Sequence, residues 1–217
     1  AVLGANDGLV SNLSLVMGVA GATLEGKGVL IAGLAGLLAG AISMALGEWL
    51  SVQSSRELYS HQIATEKEEI ETAPEEEAEE LALIYESRGL ARTDARNLAR
   101  QILANKETAL DTLAREELGV DPKELGGSAW EAAATSFFLF ALGAILPVAP
   151  FIFTGGMTAV FLSIGLSTIG LFLLGAVITL FTGRSILYSG FRMVLFGLVA
   201  AAITFGIGKL IGVSIAG

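Results

Sequence analysis

The chain has 217 residues, of which 53% are hydrophobic, with 27 glycines and a net charge of −9. This composition is typical of a membrane protein, and the glycine content favours close helix packing in lipid. The chain has no cysteine and one histidine, His61, which excludes disulfides, thiolate metal sites and histidine-cluster metal sites within one chain. Most of the acidic residues lie between positions 51 and 127, and such a block attracts cations and repels nucleic acid.

Five apolar segments are long enough to cross a membrane, which takes about 20 residues in a helix. Short connections between consecutive segments predict antiparallel neighbours. The chain opens in an apolar run without a preceding basic stretch, and no cleavable signal peptide is visible in it. The five predicted spans lie at about 2–22, 28–50, 130–153, 157–182 and 188–213.

The predicted fold is therefore all-α, a polytopic membrane protein with five transmembrane helices and a helical insert between spans two and three. The expected domains are residues 1–50, the acidic segment 51–127, and residues 128–217. Nine of the 13 basic residues lie in the acidic segment. Because basic residues favour the cytosolic side, the insert is expected in the cytosol.

The acidic segment reads as a series of helices. No Gly or Pro falls between Glu48 and Ala73, so span two is expected to continue into the segment. Pro74 suits the start of the next helix, which is expected to stop near Gly89. Thr93 is a candidate N-cap for a third helix. A fourth is predicted over residues 106–118.

Span three contains Pro147 and Pro150 near its end. Proline removes a backbone hydrogen bond, so these residues predict either a broken helix that lines a cavity or a helix that ends at the membrane interface.

Two carboxylates lie inside apolar runs, Asp7 in the first span and Glu48 in the second. A carboxylate at membrane depth costs about 2.5–3.5 kcal/mol on insertion scales, so each predicts a role in a pathway for cations. Met44 shares a helix face with Glu48, and carboxylate oxygen with thioether sulfur suits a borderline ion such as Fe²⁺. The alternative is that Met44 fills the core and that the carboxylates lie near the interfaces or cap neighbouring helices.

Glycine and serine stripes extend both faces. On span two the stripe is Gly33, Gly36 and Gly40. A comparable face on span one comprises Asp7, Ser11, Ser14, Gly18 and Gly21. Packed together, the two faces are expected to form one seam that carries the carboxylates and the thioether.

The acidic segment offers a second group of metal-ligand candidates. Carboxylates spaced i, i+3 on two successive helices form an oxygen-rich cage for cations if the helices face each other. The alternative is a solvated acidic face. The candidate pairs are Glu66 with Glu69, Glu77 with Glu80, and the adjacent Glu116 and Glu117.

No motif for an enzyme stands out. A di-iron oxidase requires Glu-x-x-His pairs, whereas Glu57 and His61 are four residues apart. No P-loop sequence is present, which argues against an ATP-driven pump within this chain. We therefore expect no enzymatic activity and no prosthetic group.

The strings NDGLVS, at residues 6–11, and SMALGEW, at 43–49, followed by a Glu-rich insert and LPxxPF, resemble the vacuolar iron transporter family along essentially the whole chain. The resemblance implies a homodimer that exports Fe²⁺ from the cytosol, with Mn²⁺ as secondary cargo, in exchange for protons. It implies a location in a vacuolar membrane or, in a prokaryote, the plasma membrane. It also implies an ion path at the dimer interface.

The resemblance assigns residues to two sites. The membrane path would use Asp7, Met44 and Glu48. The cytosolic metal site would use Glu66, Glu69, Glu77, Glu80 and Glu117, with Glu116 adjacent.

Two adjacent positions depart from similar plant proteins. Those proteins carry two adjacent methionines where this chain has Leu113 and Ala114, so a carboxylate-only site with broader selectivity is expected. Two alternatives to iron transport remain: a broad divalent-cation (Mn²⁺) exporter, and a membrane-anchored protein that buffers or senses metal without transport.

Overall fold

A computed structural model describes residues 2–122 and 127–216, and no strand occurs in this part of the chain. The expected all-helical class is confirmed. In chain order the helices are α1 (Val2–Ala22), α2 (Gly26–Thr72), α3 (Pro74–Ser87), α4 (Arg92–Leu103), α5 (Lys106–Glu116), α6 (Ala129–Val148), α7 (Pro150–Phe153), α8 (Gly156–Thr182) and α9 (Ile186–Ala216).

Five of these helices, α1, α2, α6, α8 and α9, are long and apolar enough to cross a membrane. The expectation of five spans is confirmed in this sense. The cytosolic placement of the acidic helices remains a prediction. As expected, α2 continues past its apolar part and ends at Thr72.

The chain divides into two compact units. Unit 1 comprises residues 1–49 and 130–217, and unit 2 comprises residues 50–129. The division falls inside α2, because this helix contributes its apolar half to unit 1 and its polar half to unit 2.

Within unit 1, α1 packs closely against α6 and α9. A side-chain carbon on Gly8 or Gly143 would lie less than 3.0 Å from a backbone carbonyl oxygen across the α1–α6 contact, so neither position has room for a larger residue. Gly21 on α1 meets the backbone of α9 in the same way. The side chains of Leu13 and Val16 are fully buried in the core of this unit.

The two prolines of span three lie at the junction of two helices, and the apolar helix long enough to cross a membrane ends at Val148. Pro147 lies inside α6, which ends at Val148, and Pro150 begins the short helix α7. The hydroxyl of Ser163 on α8 donates a hydrogen bond of 2.7 Å to the carbonyl oxygen of Pro147. This buried contact partners a backbone oxygen beside the break, as required where no water is present.

Unit 2 is a small helical assembly with its own apolar core. The start of α3 at Pro74 agrees with the prediction. Thr93 is not the N-cap of α4: the helix begins at Arg92 after Ala91, and no side chain caps it, so that prediction was wrong. The largest side chains of the core are Ile70, Leu81 and Leu113, with Ala82, Ala95, Ala99 and Ala109 between them.

Candidate metal centre

Three carboxylates converge inside unit 2. One oxygen each from Glu66 on α2, Glu77 on α3 and Glu117 after α5 lie within 4.8 Å of one another. Oxygen ligands bind divalent ions at about 2.0–2.6 Å, so oxygens that share one ion lie up to about 5 Å apart. The three side chains, which we call the carboxylate cage, could hold one divalent cation.

The hydrophobic core of unit 2 positions the cage. Each cage residue lies four positions from a large core residue: Glu66 from Ile70, Glu77 from Leu81, and Glu117 from Leu113. Residues four apart lie on the same side of a helix. Burial of the three core side chains therefore turns the three carboxylates toward a common point. The backbone N–H of Glu117 also donates to the carbonyl of Leu113 at 2.8 Å, which extends the helical turn to the ligand.

Glu66 and Glu77 are buried, each with 5% of its surface exposed. Oxygen Oε2 of Glu66 has no hydrogen-bond partner among the residues that the structure describes. Burial, followed by the negative charges of neighbouring glutamates, raises the pKa of Glu66 and of Glu77 from 4.5 to about 7. Burial is also the main cause of the raised pKa of Glu117. Carboxylates held this close without a cation favour the bound proton, and a metal ion would relieve their repulsion.

Glu69 and Glu80 border the cage. Both are exposed, and the charges of both raise the pKa of Glu66, Glu77 and Glu117. They are close enough to act on the cage electrostatically.

Glu116 has a different partner from its neighbour Glu117. Its carboxylate forms an ion pair with Arg88, which follows the end of α3. The structure does not place Glu116 among the three converging carboxylates.

Leu113 and Ala114 are fully buried. Leu113 is part of the apolar core of unit 2. At these two positions the chain offers carbon and no sulfur, so the donor set of the cage is oxygen alone.

The membrane candidates are arranged differently from the cage. Asp7 and Glu48 are exposed on the surface of the single chain, on α1 and α2. Met44 is half-buried and packs on the core cluster that contains Phe140. Its sulfur lies beside Gly4: a Cβ atom placed on this glycine would be 3.7 Å from the sulfur. Because Gly4 and Asp7 are three residues apart on α1, Met44 contacts the helix face that carries Asp7.

The expected single seam between the two glycine stripes is wrong for the far end of α1. Gly18 and Gly21 lie against Thr204 and Phe205 of α9 and not against α2. The α2 stripe does face α1 at Gly33 and Gly36, through Val16, Asn12 and Leu15. The stripes predicted close helix contacts correctly, but a third glycine, Gly40, also faces a different neighbour and lies against Phe140 of α6.

Sequence reasoning overlooked Asn12. This residue is only 2% exposed and is the largest buried polar side chain of α1. Its Nδ2 donates hydrogen bonds to the carbonyls of Gly33 on α2, at 3.2 Å, and Ala144 on α6, at 2.7 Å. The available signal was a carboxamide in an apolar span, which requires partners when it lies inside the bundle.

The fold and the cage together define an integral membrane protein with a candidate divalent-cation site in a separate helical unit. The sequence matches the model of the VIT family over residues 1–209, and the chain belongs to this family. It is similar to vacuolar iron transporter 1 of Arabidopsis thaliana, with 33% identity over 97% of this chain and 84% of that protein.

Two further relatives come from distant organisms. The vacuolar iron transporter of Acanthamoeba castellanii is 38% identical over 96% of this chain and 76% of its own length. The vacuolar iron transporter of Plasmodium falciparum is 31% identical over 97% of this chain and 80% of its own length. The resemblance inferred from the NDGLVS and SMALGEW strings is confirmed.

Proposed function

We propose that the chain is a metal transporter that moves Fe²⁺ out of the cytosol in exchange for protons, with Mn²⁺ as a second cargo. The observation that carries the metal-handling part is the carboxylate cage, because its three oxygens lie within 4.8 Å of one another and two of its members are buried. The names of the relatives support iron as the cargo, and the five apolar helices support movement across a membrane.

The donor set of the cage supports broad selectivity among divalent cations. Carboxylate oxygens bind Mg²⁺, Ca²⁺, Mn²⁺ and Fe²⁺ and lack the preference of sulfur for softer ions. Leu113 and Ala114 supply no sulfur donor. We therefore propose that the cage collects divalent ions on the cytosolic side, and that selection for Fe²⁺ depends on the membrane path, where Met44 provides a thioether.

Asp7, Met44 and Glu48 form the proposed membrane path. Carboxylates in the apolar region are costly when they face lipid, so Asp7 and Glu48 require a protein or water environment. Both lie on the surface of the single chain. A second copy of the chain that covers this surface would enclose them, which supports a homodimer with the path at its interface.

Proton coupling follows from the chemistry of carboxylate ligands. A carboxylate must lose its proton to bind a metal ion, so the two compete for the same oxygen. Release of Fe²⁺ on the far side would leave Asp7 and Glu48 free to accept protons there and to return them to the cytosol. The membrane would be the vacuolar membrane or, in a prokaryote, the plasma membrane, with the acidic unit in the cytosol.

Uptake of Fe²⁺ into liposomes that contain the purified protein tests the proposal. We expect wild-type protein to load the lumen, and Asp7→Asn and Glu48→Gln each to abolish uptake while folding and dimerisation persist. Glu25→Gln is the matched control, because Glu25 is an exposed carboxylate in the loop between α1 and α2. Wild-type flux in either path variant would remove that residue from the path. Metal binding without any flux would favour a membrane-anchored metal buffer.

A further inference from the structure

Asn12 connects three helices of unit 1 through one nitrogen atom. Its two amide hydrogens go to separate helices, one to Gly33 on α2 and the other to Ala144 on α6. Both acceptors are carbonyls, so the orientation of the amide is determined: the flipped form would place Oδ1 against two other oxygens. A hydroxyl side chain carries one hydrogen and could link α1 to only one of the two helices.

The geometry around Asn12 leaves little freedom for sliding. A side-chain carbon on Gly36 would lie 2.7 Å from Oδ1 of Asn12, so the amide occupies the notch that this glycine leaves on α2. Within the described part of the chain, Oδ1 itself has no hydrogen-bond partner. A residue selected only to stabilise the bundle would be better replaced by an apolar side chain, because a buried unpaired oxygen is costly.

The contact defines the register between α1 and α2. These helices run in opposite directions. A second contact joins them near the start of α1, where the sulfur of Met44 on α2 lies beside Gly4. Asp7 lies between Gly4 and Asn12 on α1. If α1 moved along α2 by one residue, or about 1.5 Å, Asp7 would move by the same amount relative to Met44.

We propose that Asn12 is a positioning residue, which holds α1 in register with α2 and α6 and thereby sets the placement of Asp7 relative to Met44. This role rests on the membrane path proposed above. Asn12 does not bind the ion, and it acts through the helix that carries Asp7.

The test compares Asn12→Leu and Asn12→Ser with Ser163→Ala. Leucine keeps a similar volume and removes both hydrogen bonds, whereas serine can keep one. Ser163→Ala is the matched control, because it removes another buried interhelical hydrogen bond, from α8 to Pro147, without involving α1. We expect Asn12→Leu to reduce Fe²⁺ flux at low concentration by about tenfold, mainly through a higher half-saturating concentration, and Asn12→Ser to lie between it and the wild type.

Thermal stability and helix register are measured in the same variants. Because the chain has no cysteine of its own, spin labels attach only to cysteines that are introduced. We place these at Leu3 on α1 and Leu38 on α2, both of which are more than half exposed. Mixing labelled with excess unlabelled protein isolates the distance within one chain. We expect Asn12→Leu to broaden or shift this distance with little change in melting temperature, and Ser163→Ala to leave both the distance and the half-saturating concentration unchanged.

Two results would overturn the proposal. One is a wild-type distance and a wild-type half-saturating concentration in Asn12→Leu. The other is a loss of flux that follows melting temperature equally in Asn12→Leu and Ser163→Ala, since this would make Asn12 an ordinary packing residue. If the wild-type protein moves no Fe²⁺, the proposed transport function fails, and the spin-label distance alone then decides whether Asn12 holds the register.

Discussion

Replacement of Glu66 by glutamine should stabilise unit 2 of the metal-free protein and weaken its binding of metal. The pKa of Glu66 is raised from 4.5 to about 7 in the folded chain, so the folded state keeps a proton that the unfolded state releases in this range. The free energy of unfolding therefore falls as the pH rises from about 4.5 to 7, and the loss is complete above pH 7.

The size of the effect follows from the shift. One pKa unit corresponds to about 1.4 kcal/mol, so the ionised Glu66 side chain destabilises the metal-free unit by up to about 3 kcal/mol at pH 8. Part of this penalty is shared with Glu77, which is the neighbour on α3. We therefore expect Glu66→Gln to raise the free energy of local unfolding by about 2–3 kcal/mol at pH 8 and to change it little at pH 5.

Hydrogen exchange of the full-length protein, read by mass spectrometry on peptides from α2 and α3, measures this quantity. The buffer contains a chelator, and rates are corrected for the intrinsic effect of pH. Glu68→Gln is the control, because Glu68 is exposed on the same helix. Saturating Mn²⁺ or Fe²⁺ should protect the wild type at pH 8 and leave Glu66→Gln almost unchanged. If metal-free Glu66→Gln exchanges at pH 8 as fast as the metal-free wild type, or faster, then the ionised Glu66 side chain does not destabilise unit 2 and this reasoning is refuted.

Four further outcomes are expected. Met44→Leu should lower Fe²⁺ flux less than loss of either path carboxylate, because it removes one weak ligand and keeps the volume; equal losses would make the sulfur essential. A lumen more acidic than the cytosolic side should accelerate Fe²⁺ entry, whereas flux that ignores the pH gradient at fixed membrane potential would favour a uniporter. Gly8→Ala should prevent close packing of α1 on α6 and lower the melting temperature, because its side chain would collide with the carbonyl of Phe140; an unchanged melting temperature would contradict this contact. Glutamine at all three cage positions should abolish high-affinity Mn²⁺ binding in both low and high salt, as measured by calorimetry. The same change at three exposed glutamates should have a small effect that depends on salt. Equal losses of binding in the two triple variants would indicate a diffuse acidic surface. The three control positions are Glu68, Glu71 and Glu75.

Much of the helical architecture could be predicted because its signals are local. Apolar length gave the five spans, and Pro74 and the glycines after α3 and α5 marked helix ends in unit 2. Gly89 and Gly119 both have positive φ angles, which glycine adopts without strain. Thr93 was misread because a capping side chain is only one way to begin a helix, and here Asp94 in the first turn of α4 favours the start electrostatically.

The candidate site could be predicted only in part, because convergence depends on packing between helices. The i, i+3 spacing of Glu66 and Glu69 shows that they share a face but not what that face meets. The relation of each cage residue to a core residue four positions away is visible in the sequence, yet it becomes informative only when the core is known. Asn12 was overlooked because its acceptors are backbone carbonyls, which no side-chain pattern reveals.

Simultaneous recording of luminal Fe²⁺ and luminal pH in the same liposomes tests the central claim most directly. With wild-type protein, an acidic lumen and a clamped membrane potential, we predict that each increment of Fe²⁺ entry is accompanied by a rise in luminal pH. Both signals should disappear in Asp7→Asn and persist in Glu25→Gln. Fe²⁺ bound by the protein with no luminal signal in the wild type, or Fe²⁺ entry with no movement of protons, would contradict proton-coupled transport through the proposed path.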